Sequence, residues 1–247
     1  MRTLLLALCA LATNAAAADI EIALTDELVE VDAGFAGARL LLFGAITGVD
    51  DPQTLDMISV IRGPDARFKI RQMQKNNLIW TPGPAHTVGP APGLYLTYST
   101  RPVDDIAPLP LQAEYRLDAD YIDIPIENHV AAPAEKAGLF RNAFLSEAEA
   151  IGLYHASTQG VAFKTGALFT IDARLPANTP VGEYDVAVYL FRNGEMIGSD
   201  VTALAVNRAG LERRIYDFAH SKPISYGIFC VVLSLLAGWI ASLAFRK

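Results

Sequence analysis

The chain has 247 residues, with 27 acidic against 20 basic side chains and an apolar fraction of 52%. Both ends are apolar, and between them residues 19–222 carry 17 basic and 27 acidic residues, a net charge of −10, in enough chain for one large or two small domains. So acidic a surface excludes nucleic acid, and weighs against anionic lipid as the main ligand, because phosphates are repelled. The two cysteines, Cys9 and Cys230, lie in the apolar ends, so the central part has no disulfide, thiolate metal site or thiol redox centre.

Met1-Arg2-Thr3 opens with one positive charge, and the apolar run from Leu4 to Ala12 is too short to span a bilayer. Ala16 and Ala18 occupy the small-residue positions of an export-signal cleavage site, so a signal peptide over residues 1–18 is expected. Cys9 follows Leu8, where a lipoprotein signal requires a small residue, and lipidation is not expected.

Residues 19–102 read as a β-sandwich-like module. Ile20–Leu24 and Leu28–Val31 alternate apolar and polar residues, and Arg39–Ile46 is an apolar run of the kind found in a strand covered on both faces. Met57–Ile61 ends at the turn signal Arg62-Gly63-Pro64-Asp65; Phe68–Met73, Leu78–Trp80 and Leu94–Tyr98 follow as strands. The Pro/Gly-rich stretch from Trp80 to Gly93 reads as a long loop, with Trp80 and His86 as candidate recognition residues.

Residues 103–160 read as an irregular and helical insertion. Asp104–Asn128 has scattered prolines and no period. Over Ala134–Tyr154, Leu139, Phe140, Ala143, Phe144, Glu147 and Ile151 approach helical spacing. Residues 161–207 return to strands that complete a second or shared sandwich: Ala167–Leu175, Glu183–Phe191 and Met196–Val206, with Asn193-Gly194 as a hairpin turn. Pro180-Val-Gly-Glu-Tyr184 looks like the corner of immunoglobulin-like sandwiches, where a tyrosine closes onto the backbone.

Residues 208–222 form a juxtamembrane segment with a short helix over Leu211–Ala219. Residues 223–245 lack any charge and are long enough to cross a bilayer, leaving Arg246 and Lys247 as a cytoplasmic tail. Ser234, Gly238 and Ser242 recur every four residues, a small-residue stripe suited to packing against another helix or a second copy.

Catalytic signatures are missing. His86, His129, His155 and His220 have no ligand spacing, no serine sits in a G-x-S-x-G context, and no Walker or G-x-G-x-x-G loop is present. Asp118, Asp120 and Asp123 lack the glycine and terminal glutamate of a calcium loop.

Several segments together resemble a family of alphaproteobacterial transmembrane proteins. They are Gly34-Phe-Ala-Gly-Ala38, Leu42-Phe-Gly44, Arg62-Gly-Pro64, Leu78-Ile-Trp80, Leu175–Tyr184, Tyr189–Gly194, Ile215–Ala219 and Tyr226-Gly227. The resemblance implies a topology and no mechanism, and it suggests as partner a polytopic transporter of the sulfite/organosulfonate exporter type. The expectation is therefore a mainly β, immunoglobulin-like ectodomain with a helical insertion on one transmembrane helix. It would be a non-enzymatic accessory protein without cofactor, in the bacterial inner membrane, with its ectodomain in the periplasm. The alternative is a periplasmic small-ligand or metal-binding protein, for which His86, His129 and His155 would have to converge.

Overall fold

Strands that alternate along the chain must bury one face, and here two sheets bury theirs against each other. The computed structural model describes residues 18–32, 34–49, 54–76, 79–127, 134–164, 167–209 and 211–244; residues 1–17 of the signal peptide expected over 1–18, and the tail, lie outside them. The first sheet is antiparallel, in the order β1 (Asp19–Leu24), β3 (Ala38–Thr47), β11 (Leu168–Leu175) and β10 (Val161–Phe163). Its inner face presents Ile20, Leu40, Leu42, Ile46, Phe169, Ile171 and Ala173, all buried. The outer face is open: Leu41, Phe43 and Leu168 are 38%, 46% and 54% exposed. Arg39–Ile46 is therefore covered on one face only. Its apolar run comes from Leu41 and Phe43, which lie on the solvent side.

The second sheet has six strands in the order β2 (Leu28–Val31), β13 (Glu195–Arg208), β12 (Gly182–Arg192), β4 (Asp56–Arg62), β7 (Tyr95–Ser99) and β9 (Tyr154–Ser157). β2 and β9 are the edges, each parallel to its neighbour, and all other pairs are antiparallel. The inner face, with Tyr184, Val186, Val188, Leu190 and Leu204, meets the first sheet. Ile22 N–H donates to the Asp200 carboxylate (3.0 Å), and Arg174 N–H donates to the Tyr98 hydroxyl (3.0 Å), across the two sheets. Each fully buried aliphatic or aromatic side chain contributes about 1.5–3 kcal/mol. Ala18 joins this core at 6% exposure, its N–H bonded to Ile197 O at 3.0 Å.

β4 and β7 are buried on both faces because a third layer lies on the outside. It consists of α1 (Val103–Ile106), α2 (Leu109–Tyr115) and a 3-10 turn at Ala119–Tyr121. Thr97 Oγ1 and the Tyr95 hydroxyl donate to the carbonyls of Leu117 and Arg116 in this layer. The stretch read as periodless thus holds two short helices. Each starts behind a proline, Pro102 or Pro108, and neither is long enough to show a period.

β5 (Asp65–Asn76) and β6 (Ile79–Pro92) form a long ribbon that β8 (Ile126–Glu127) joins. The expected loop from Trp80 to Gly93 is therefore a strand, despite four prolines. Two register shifts explain this: Gly83-Pro84 and Gly89-Pro90 each stand opposite a single residue of β5, so two prolines fall in bulges where no ladder bond is required. Gly89 is at φ +120°, and a Cβ there would lie 2.6 Å from Ala66 O, so only glycine fits this bulge. α3 (Ala134–Ala150) covers the ribbon base, with the Phe68 and Phe144 ring centroids 4.8 Å apart. Its buried face is Phe140, Phe144, Leu145 and Ala148; Leu139, Ala143, Glu147 and Ile151, expected on that face, are exposed.

Two local expectations hold. Asn193 and Gly194 sit at φ 52° and 85°, the double positive-φ pattern of a two-residue hairpin turn. The Tyr184 hydroxyl donates to Pro180 O at 2.5 Å, four residues upstream. Losing a buried hydrogen bond of this kind costs about 0.5–1.5 kcal/mol, more where the acceptor is left unpaired. Tyr184→Phe should therefore lower the unfolding temperature of the detergent-solubilised chain by a few degrees. Tyr189→Phe, whose hydroxyl has no hydrogen-bond partner among the described residues, should leave it nearly unchanged; near-UV circular dichroism during heating measures both.

Candidate functional site

At one end of the second sheet β7 stops at Ser99, and the chain turns into α1. Asp56 holds that turn. Its carboxylate accepts from Arg101 Nε (2.8 Å) and Nη2 (2.5 Å) and from Thr100 Oγ1 (3.1 Å). Arg101 Nη2 also reaches Asp105 O at 3.4 Å. This grip fixes one wall of an open cleft of about 830 Å³, which Ser99, Asp104, Gln112, Asp118, Asp120 and Ser157 help to line.

Gln112 stands out in the cleft wall. Its residue is 2% exposed, and Nε2 donates to Ala107 O (2.7 Å) and Asp104 Oδ1 (3.2 Å). Those two acceptors fix the orientation of the amide, and Oε1 remains buried with no donor among the described residues. Asp118 accepts the Asp120 N–H (3.0 Å), an acid-initiated turn, and Asp120 lies 3.6 Å from Arg141 Nη1. Acceptors outnumber donors here, so the cleft suits a ligand rich in N–H groups and repels an anion.

The candidates from sequence are dispersed. Trp80 is 61% exposed on β6. His86, on the same strand, lies tilted against Phe140 with ring centroids 4.4 Å apart. His155, on β9, meets Tyr98 edge-on at 6.4 Å in a second cavity of about 430 Å³ near Asp172 and Arg174. His129 lies outside the described residues. His220 stacks on Tyr216 at 3.9 Å, in the helix α4 (Leu211–Ser221). Among the described residues no group of three His, Cys, Asp or Glu side chains has the geometry to hold a metal.

Sequence reasoning missed the cleft. Asp56 and Arg101 are 45 residues apart, and Gln112 is a lone glutamine on a seven-residue helix; neither leaves a local pattern.

α4 leads into α5 (Pro223–Ala244), where Phe218 packs edge-on against Tyr226 (5.9 Å) and Phe229 (6.3 Å). Within α5, Pro223–Ala241 is long and apolar enough to cross a membrane, and none of it is buried against the rest of the chain. Gly238 has open space where a side chain would stand, and Ser234 Oγ donates back to Cys230 O at 2.8 Å. The side chain of Ser242 lies outside the described part. The family model described as "Putative transmembrane protein (Alph_Pro_TM)" matches residues 19–247. The chain belongs to this family. No curated protein matches it. Family membership and the apolar helix agree on a membrane protein with one C-terminal span.

The Arg101 hydrogen bonds hold the Asp56 carboxyl below its ordinary range, against a smaller opposing effect of burial. A carboxyl lowered by folding stabilises the fold above its unfolded titration range and loses that contribution as pH falls through the lowered folded value. The unfolding temperature of the native chain should therefore fall more steeply on acidification below about pH 4 than that of Asp56→Asn, which starts lower and has no charge to lose.

Proposed function

We propose that the chain is a non-enzymatic accessory protein of the bacterial inner membrane. It displays its β-domain in the periplasm and pairs its anchor with the helices of a polytopic transporter. The observation that carries this reading is the state of α5: it stands clear of its own domain, and Ser234 and Gly238 lie one turn apart with no bulk between them. Small residues at this spacing let two helix backbones approach closely, and association in lipid rests on such packing because burial of apolar surface supplies no drive there. The uncovered face with Leu41, Phe43 and Leu168 supports a domain that meets other proteins.

A mild-detergent pull-down of the full chain from native membranes tests this. A polytopic transporter should co-purify with the native chain and be lost with Gly238→Leu and Ser234→Leu, which keep the helix but fill the stripe. Recovery unchanged in both variants would remove helix pairing as the basis.

The Gln112 cleft favours a second reading, a binding protein for a small cationic ligand. Its acceptor-rich lining and the unpaired buried Oε1 support that chemistry. Titration calorimetry of the detergent-solubilised chain with putrescine, and with calcium as the metal comparison, distinguishes the classes. Putrescine binding that Asp104→Asn weakens supports the organic cation; heat from calcium alone supports the metal, and silence from both discards the reading.

A further inference from the structure

The register of the second sheet places the membrane anchor and the β5–β6 ribbon at the same end of the molecule. β13 ends at Arg208, three residues before α4, and its Val206 pairs with Gly182 at the start of β12. β12 pairs Asp185 with Arg62, the last residue of β4, and Arg62 pairs with Tyr95, the first residue of β7. The β4–β7 pairing does not stop there. Gly63 N–H donates to Leu94 O (2.9 Å), Gly93 N–H donates to Pro64 O (2.8 Å), and Asp65 pairs with Pro92. The two strands leave the sheet still paired and continue as β5 and β6 to Asn76 and Ile79. At about 3.3 Å per residue the ribbon extends on the order of 40 Å from the end where the anchor leaves.

The chemistry of the ribbon differs from that of the rest of the domain. Residues 65–92 hold four basic residues and one acidic, Asp65, whereas residues 19–222 as a whole carry −10. Along β5, Phe68 and Ile70 pack toward α3 and the core, and the alternate positions Lys69, Arg71, Met73 and Lys75 are exposed. Lys69, Arg71 and Lys75 form no ion pair among the described residues. Trp80 pairs directly with Lys75, and Met73 pairs with Pro82, so these share one face of the ribbon. Met73, Ile79 and Trp80 are 50%, 69% and 61% exposed. Cations interleaved with tryptophan and aliphatic side chains suit a headgroup layer, where the charges meet anionic lipid and the rings sit at the interface.

We propose that the β5–β6 ribbon is a second membrane contact, setting Lys69, Arg71 and Lys75 on anionic lipid headgroups and Trp80 with Met73 into the interface. The occupant is the bilayer because the chain's own anchor holds this end beside it. A soluble or membrane protein on the same face is the competing occupant that the experiment must separate.

Trp80 and Trp239 are the only tryptophans, so Trp239→Phe leaves Trp80 as the sole reporter in the full-length chain. The variant is reconstituted alone into vesicles of phosphatidylcholine, with or without phosphatidylglycerol and with brominated lipid as quencher. Trp80 emission should shift to the blue and be quenched in the anionic vesicles. Both effects should weaken in plain phosphatidylcholine and in high salt, and be lost in Lys69→Glu/Arg71→Glu/Lys75→Glu. If Trp239→Phe inserts poorly, the difference between the native chain and Trp80→Phe reports the same signal with Trp239 in place. Emission that stays water-like and unquenched in anionic vesicles overturns the proposal. So does a blue shift seen only in native membranes without lipid quenching, which would assign the face to a protein.

Discussion

The antiparallel pairing of β4 with β7 determines where everything else in the molecule stands. These strands are buried on both faces, between the inner sheet and the α1–α2 layer, so their register cannot slip without turning a complete set of apolar side chains into the opposite layer. Their two ends lead to different structures. At the Ser99 end the chain passes through the Asp56–Arg101 grip into the cleft. At the Arg62 end the same two strands run on as the ribbon, beside the point where β13 gives way to the anchor. The fold thus separates an acceptor-rich cleft, facing away from the membrane end, from an arm at the membrane end.

This separation changes what the net charge means. Read as a total, −10 opposes any anionic partner. Charge acts over roughly a Debye length, however, about 8–10 Å at ordinary ionic strength, so the outer part of a ribbon on the order of 40 Å long is governed mainly by its own side chains. Asp104, Asp118 and Asp120 stand at the cleft. Lys69, Arg71 and Lys75 stand on the arm. One protein can therefore repel anions at one end and attract an anionic surface at the other.

The legible parts of the fold were those written in local pattern. β1, β2 and β12 show alternation within a few residues, β4 ends at its own turn signal, Asn193-Gly194 has the chemistry its turn requires and so marks β13, and α5 has its uncharged length. β6 was illegible because four prolines normally forbid a strand. Its two bulges absorb Pro84 and Pro90, and bulges arise from the register of pairing with β5, which the composition of β6 alone does not contain. The open face of β3 was hidden for a related reason. Leu41 and Phe43 make the run look covered on both sides, and only the arrangement of sheets shows that nothing among the described residues lies over them. The cleft was least accessible of all, since Asp56 and Arg101 acquire meaning only from a contact across 45 residues of chain, and the bonds of Gln112 to Asp104 and Ala107 form no recognisable sequence pattern.

Attachment at two points would alter what the anchor can do. A domain on one helix, joined through the short α4, swivels about it and presents each of its faces to the membrane plane in turn. A ribbon of this length, pinned at its far end, removes most of that rotation and holds the open face of the first sheet at a fixed angle to the bilayer. The gain is entropic: rotational freedom given up once, on membrane attachment, need not be lost again when a partner in the same membrane docks. A stripe as small as Ser234 and Gly238 supplies little energy on its own. On a pre-oriented domain, each collision with a partner helix arrives with the face above it already aligned, and the two weak contacts act as one.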